Sequence, residues 1–187
     1  GRLLAPYIGS SLETWTAVIG MVLAGISVGN WLGGRLADRA ASGKTLRLLL
    51  WLGTAALLST LGIVRVLGDG EMVRPIALFP RIALLTFLVC FPSAFVLSLT
   101  TPVAIKLLLP DVRKTGRIVG MVYALGTLGS LIGNFVTGFA LMAIFGITAI
   151  ILGTAASLFV LSLFVPKVAA NSGATEARDD RPLAVSR

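Results

Sequence analysis

Long apolar runs separated by short basic segments make up most of this chain. About 20 helical residues cross the roughly 30 Å hydrocarbon core of a bilayer. Five stretches satisfy that length, at residues 15–33, 46–67, 82–100, 118–145 and 147–165. They predict an all-α membrane protein, a polytopic helical bundle over residues 1–165. Gly146 is nearly all that separates the last two runs, so a tight helical hairpin is expected there. Pro92 interrupts the third run and predicts a kink, because proline removes one helical hydrogen bond. Beyond Pro166 the residues turn small, polar and charged, which reads as a disordered cytoplasmic tail over 166–187.

Composition sharpens this picture. The chain is 56% hydrophobic, 13% charged and free of histidine, whereas soluble domains average about 25% charged residues. Folded in water, a chain of this size would leave large apolar patches exposed, so the lipid bilayer is its expected solvent. Cys90 stands alone and forms no internal disulfide.

The net charge of +8 could point to nucleic acid, but its distribution points to membrane topology. Strict alternation places Arg35, Arg39, Lys44 and Arg47, then Lys106, Arg113, Lys114 and Arg117, then Lys167, Arg178, Arg181 and Arg187 on one side. The other side holds only Arg2, Arg65, Arg74 and Arg81. Basic excess marks the cytoplasmic face, so a multi-pass protein of the inner (plasma) membrane is expected, with its C-terminus cytoplasmic and no nucleic-acid partner. The N-terminal side then lies outside. Residues 1–13 read like a loop leaving a helix, which leads to the expectation of a further span upstream; the alternative is a five-span protein with a translocated N-terminus.

Two spans carry patterned glycines. Gly25, Gly29 and Gly33 recur every four residues and share one helix face, as do Gly126, Gly129 and Gly133; small residues at this spacing let another helix approach closely in lipid. Beside the second set runs a polar stripe of Tyr123, Thr127, Ser130, Asn134 and Thr137. After the first set comes Gly34-Arg35-Leu36-Ala37-Asp38-Arg39, expected to open a turn in which Asp38 caps a helix N-terminus or faces its dipole.

That loop resembles the signature between helices two and three of major facilitator superfamily transporters, with Gly34, Asp38 and Arg39 at motif positions, although Gly43 and Lys44 arrive two residues late. The basic loop before a glycine-rich span fits the same family, and the implied fold is one six-helix half of such a transporter. More narrowly, Arg2 to Ser11, the Gly34–Arg39 motif, Thr101-Pro102-Val103-Ala104-Ile105-Lys106, and Gly116-Arg117 through Tyr123 to Ser130 resemble the membrane domain of fused spermidine synthase-like proteins. That resemblance implies association with a soluble aminopropyltransferase-like domain or partner.

No catalytic constellation stands in the chain itself. Gly68-Asp69-Gly70-Glu71 reads as a plain turn, a Ser–His–Asp arrangement requires a histidine, and no metal-ligand cluster or cofactor motif occurs. Any aminopropyltransferase activity would need a separate domain. The chemistry-bearing candidates are therefore intramembrane polar groups. Asn134 near the middle of its span either glues helices together through an amide hydrogen bond or marks a transport path with Ser130, Thr127 and Tyr123.

Asn30, nearer the cytoplasmic end, reads chiefly as structural. Glu13 is either an acid facing a helix dipole or a cation-attracting mouth residue. Lys106 is either a snorkelling anchor or a recognition group for an anion. Trp15, Trp31, Trp51 and Tyr7 fit interfacial belts. The expected function is a transporter-like half-domain moving a small molecule as a homodimer packed through one of the glycine faces. The alternative is a non-transporting anchor for a soluble spermidine synthase-like partner.

Overall fold

A computed structural model describes residues 12–68, 77–108 and 115–179. Its helices are α1 (Leu12–Ala40), α2 (Gly43–Gly68), α3 (Leu78–Leu108), α4 and α5 (Ile147–Asp179). The composite α4 is α-helical over Thr115–Phe135, π-helical over Val136–Leu141 and α-helical again over Met142–Ile144. Among the described residues, five helices are long and apolar enough to cross a membrane. The chain is an all-α, multi-pass membrane protein. The opening segment with Tyr7, the 68–71 turn beyond Gly68, the loop holding Arg113 and Lys114, and residues 180–187 lie outside the described residues.

In lipid, every backbone polar group must be satisfied within its own segment, which favours long uninterrupted helices. The helices accordingly run past the expected spans. α1 is 29 residues long and includes Gly34–Arg39, so the expected turn is absent there. Arg35, Leu36 and Ala37 are good helix formers and carry the helix on. The turn falls instead at residues 41–42. Ser42 caps α2, its Oγ accepting a hydrogen bond from the Thr45 amide at 3.1 Å, while Thr45 Oγ1 donates to the Ala40 carbonyl at 2.7 Å. Asp38 is therefore not a helix N-cap; it sits in the last two turns of α1.

α3 is continuous through both Pro92 and Pro102. α5 stays helical through Asp179, where polarity had predicted a disordered tail; the alanines at 169, 170, 174 and 177 favour helix.

The central helix of the packing is α3. On one flank it runs parallel to α1, because Gly25 meets Phe91 and Ala94, Gly29 meets Phe95 and Ser98, and Gly33 meets Leu99 and Pro102. On its other flank it runs antiparallel to α2. There Ser93 Oγ donates to the Ala56 carbonyl at 3.2 Å and lies 3.4 Å from Thr60 Oγ1. Two apolar clusters tie these three helices at opposite ends. Ile82, Leu85 and Val89 gather Ala17, Val18, Ile63 and Val64 at one end; Ala37, Leu49 and Val103 gather Leu46, Leu99 and Leu107 at the other. α5 packs outside α2, where Trp51 Nε1 donates to Ser162 Oγ at 2.8 Å and the Trp51 and Phe159 rings lie 6.0 Å apart.

The glycine seam is what lets α1 and α3 come so close. A Cβ placed on Gly29 would lie 2.5 Å from the Phe95 carbonyl oxygen and 2.8 Å from Ser98 Cβ. In lipid such close approach matters because helix association rests on van der Waals contact and not on expelling water.

The expected hairpin between the last two spans does not form. The chain turns at Phe145, whose backbone is extended at φ −115° and ψ 146°. Beyond it α5 departs to pack on α2, and α4 and α5 do not pair along their lengths. A Cβ on Gly126, Gly129 or Gly133 would meet nothing within 4 Å.

Gly29→Leu is expected to lower stability by about 1–3 kcal/mol, the usual range for forcing bulk into a packed seam. Gly62→Leu, at a position with open space around it, should change stability by less than about 0.5 kcal/mol. Unfolding in mixed detergent followed by circular dichroism checks this, and equal effects at the two positions would remove the seam from the account.

Candidate functional site

The spacing of residues along α1 prepares one end of the bundle for a site. Asn30, Gly34 and Asp38 recur every four residues and share a face one step round from the glycine seam. The corresponding end of α3 supplies Thr101, Pro102, Ile105 and Lys106, again at three- and four-residue spacing. α4 contributes Tyr123. Together these three helices line a cavity of about 330 Å³. It is the place where α4 meets the α1–α3 pair, and a bed of Ala37, Leu49 and Val103 lies beneath. Val103 is fully buried, whereas Asn30, Asp38, Lys106 and Tyr123 keep their side chains exposed.

Charge is paired at its mouth. Lys106 Nζ lies 3.5 Å from Asp38 Oδ1, with side-chain exposures of 54% and 77%. An ion pair this exposed contributes at most about 1 kcal/mol and exchanges readily with water or a charged solute. Asp38 therefore acts neither as a cap nor as a buried acid; it faces Lys106 across ends of α1 and α3 that Ala37 and Val103 pack together. The amide of Asn30, the hydroxyls of Thr101 and Tyr123 and the paired charges give the cavity donors and acceptors of both signs. That set suits the binding and release of a small polar molecule.

The structure thus brings together five residues singled out in the sequence: Asn30, Gly34, Asp38, Lys106 and Tyr123. Arg39 stands outside this group, lining a second cavity of about 530 Å³ with Leu32, Arg35 and Leu36. The other polar candidates are not in the first cavity. Thr127 donates to the Tyr123 carbonyl of its own helix at 2.8 Å. Ser130 and Asn134 lie farther along α4, exposed, with no hydrogen-bond partner among the described residues. The rise of 1.5 Å per residue puts Asn134 about 16 Å from Tyr123 along the helix. The π-helical segment opens two residues past Asn134; π segments often mark functional places in helices. Glu13 sits in the first turn of α1, where the helix dipole favours an acid, at the opposite end from Asp38.

Thr101 was absent from the candidates although its signal was legible, since it lies within the Thr101–Lys106 motif. The interhelical bonds of Thr60 with Ser93 and of Trp51 with Ser162 had no sequence signal, because single hydroxyls in apolar runs commonly bond back to their own helix.

The fold and this polar end define an α-helical multi-pass membrane protein. No family model matches the chain, and no curated protein or solved structure matches it.

With Cys90 replaced by Ala, Asn30→Cys is expected to react with a water-soluble maleimide, whereas Val103→Cys, buried at the same end, should stay unlabelled in the folded protein. Labelling at both positions, or at neither, would remove the cavity from the account.

Proposed function

We propose that the chain is a transporter-like half-domain that moves a small polar molecule as a homodimer, in keeping with its resemblance to major facilitator transporters and to the membrane domain of spermidine synthase-like proteins. The observation that supports this most is the state of α4. Its polar groups Thr127, Ser130 and Asn134 are exposed, and a Cβ on its glycines Gly126, Gly129 or Gly133 would meet nothing within 4 Å. An amide left in hydrocarbon without a partner is costly, and half-domains of this kind form their binding sites at the interface of two repeats. A second α4, packed through the glycine face, supplies both the partner and the second wall of a path. The 330 Å³ cavity at the Asp38–Lys106 end is then the mouth of that path. In this reading the basic end faces the cytoplasm of the inner (plasma) membrane, and so does the C-terminus.

The rival reading is a membrane anchor that docks a soluble aminopropyltransferase-like partner on its basic end. In a Cys90→Ala background, Gly133→Cys is expected to cross-link two copies, and Gly29→Cys, covered by α3, is not. Asn134→Leu is expected to abolish flux of small polar solutes, polyamines included, into proteoliposomes while leaving the dimer mass in detergent unchanged. A monomer in detergent and no cross-link at residue 133 would overturn the dimeric transporter and favour the anchor.

A further inference from the structure

The second cavity lies on a different face of α1 and is lined by two arginines. Trp31, Arg35 and Arg39 follow one another at intervals of four, so they form a single stripe down the last turns of α1. The Arg35 guanidinium stacks over the Trp31 ring at 3.8 Å from its centroid. Leu32 and Leu36 stand beside it, and with Arg35 and Arg39 they line a space of about 530 Å³. The nearby acid, Asp38, is occupied by Lys106 at 3.5 Å. Among the described residues no carboxylate lies against Arg35 or Arg39, so two exposed guanidiniums stand side by side without a counter-charge.

Their depth points to the counter-charge they meet. Tryptophan prefers the boundary between hydrocarbon and headgroups, and Trp31 is 58% exposed on the outer surface of the bundle. On α2, Arg47 sits 5.2 Å over Trp51. In both helices the arginine lies one turn nearer the α1–α2 turn than its tryptophan. Two Trp–Arg pairs on neighbouring elements therefore mark one level, with rings at the hydrocarbon edge and guanidiniums among the headgroups. Below Arg35, exposed Val28 and half-buried Leu32 give an acyl chain an apolar track. A free anion would gain nothing from that track, whereas a phospholipid uses both parts.

We propose that Arg35 and Arg39 bind the phosphate of an anionic phospholipid, with Trp31 packing against its upper acyl chain. Guanidinium forks match phosphate oxygens in a two-point geometry that an ammonium cannot reproduce, and anionic leaflets attract basic residues at this depth. The site is separate from the Asp38–Lys106 cavity and independent of whether the chain transports anything.

The test uses the full chain in phosphatidylcholine bilayers carrying either phosphatidylglycerol or phosphatidylcholine brominated on the upper acyl chain. Trp31 quenching is isolated as the difference between wild type and Trp31→Phe. Wild type is expected to enrich the brominated phosphatidylglycerol about thirtyfold over brominated phosphatidylcholine, on the order of what two surface basic residues supply. High salt should erase most of that enrichment. R35Q/R39Q, checked for folding by its elution in detergent, should lose it, and R35K/R39K should keep part of it. Equal quenching by the two lipids, or enrichment that persists in R35Q/R39Q, would overturn the proposal. If the double variant fails to fold, salt-insensitive enrichment in wild type overturns it equally. Displacement of the lipid by inorganic phosphate would assign the arginines to a free anion and overturn it as well.

Discussion

At Gly29 the space a side chain would fill is already taken by the Phe95 carbonyl and by Ser98 of α3. Much of the rest of the structure depends on this contact. In water, burial of apolar surface would hold two such helices together; in lipid that force is absent, and close backbone approach has to replace it. Three glycines at intervals of four provide the approach over residues 25–33 of α1. With α1 seated on one flank of α3, α2 takes the other flank through Ala56, Thr60 and Ser93. α5 packs on the outside of α2.

That arrangement has a polar consequence. Because α1 and α3 run parallel in register, their final turns end side by side, and Asp38 is brought within 3.5 Å of Lys106. The same register carries Asn30 and Thr101 into one cavity, closed on its third side by Tyr123. Lys106, read from the sequence as a headgroup anchor or an anion-recognising group, also lies within ion-pair distance of Asp38 across the helix pair. The arginines of the same basic end are left on the outer face, so one short stretch of α1 presents a cavity to one side and a cationic stripe to the other.

α4 contrasts with the others. It carries six glycines, at 116, 120, 126, 129, 133 and 138, and a Cβ on any of them would meet no neighbour within 4 Å. An amide facing lipid without a partner is costly, and for that reason the proposed contact between copies is placed on this helix. The chain turns at Phe145, where the backbone is extended, and α5 beyond it packs on α2 and not along α4.

The five helices of membrane-crossing length among the described residues, the all-α class and the close-packing face of α1 were legible in the sequence, because length, apolarity and four-residue spacing are local properties of a chain. Asn30, Gly34, Asp38, Lys106 and Tyr123 were each recognisable as unusual for the same reason. Their meeting in one cavity was not legible, since it depends on the parallel register of α1 and α3. The end of α1 was misread because glycines suggested a turn, whereas the backbone needs of a membrane helix carried it on to Ala40 and moved the cap to Ser42. The hairpin expected at Gly146 failed for a related reason: a short connection sets how near two helices begin, and only the available packing surface on α2 decided where α5 would lie.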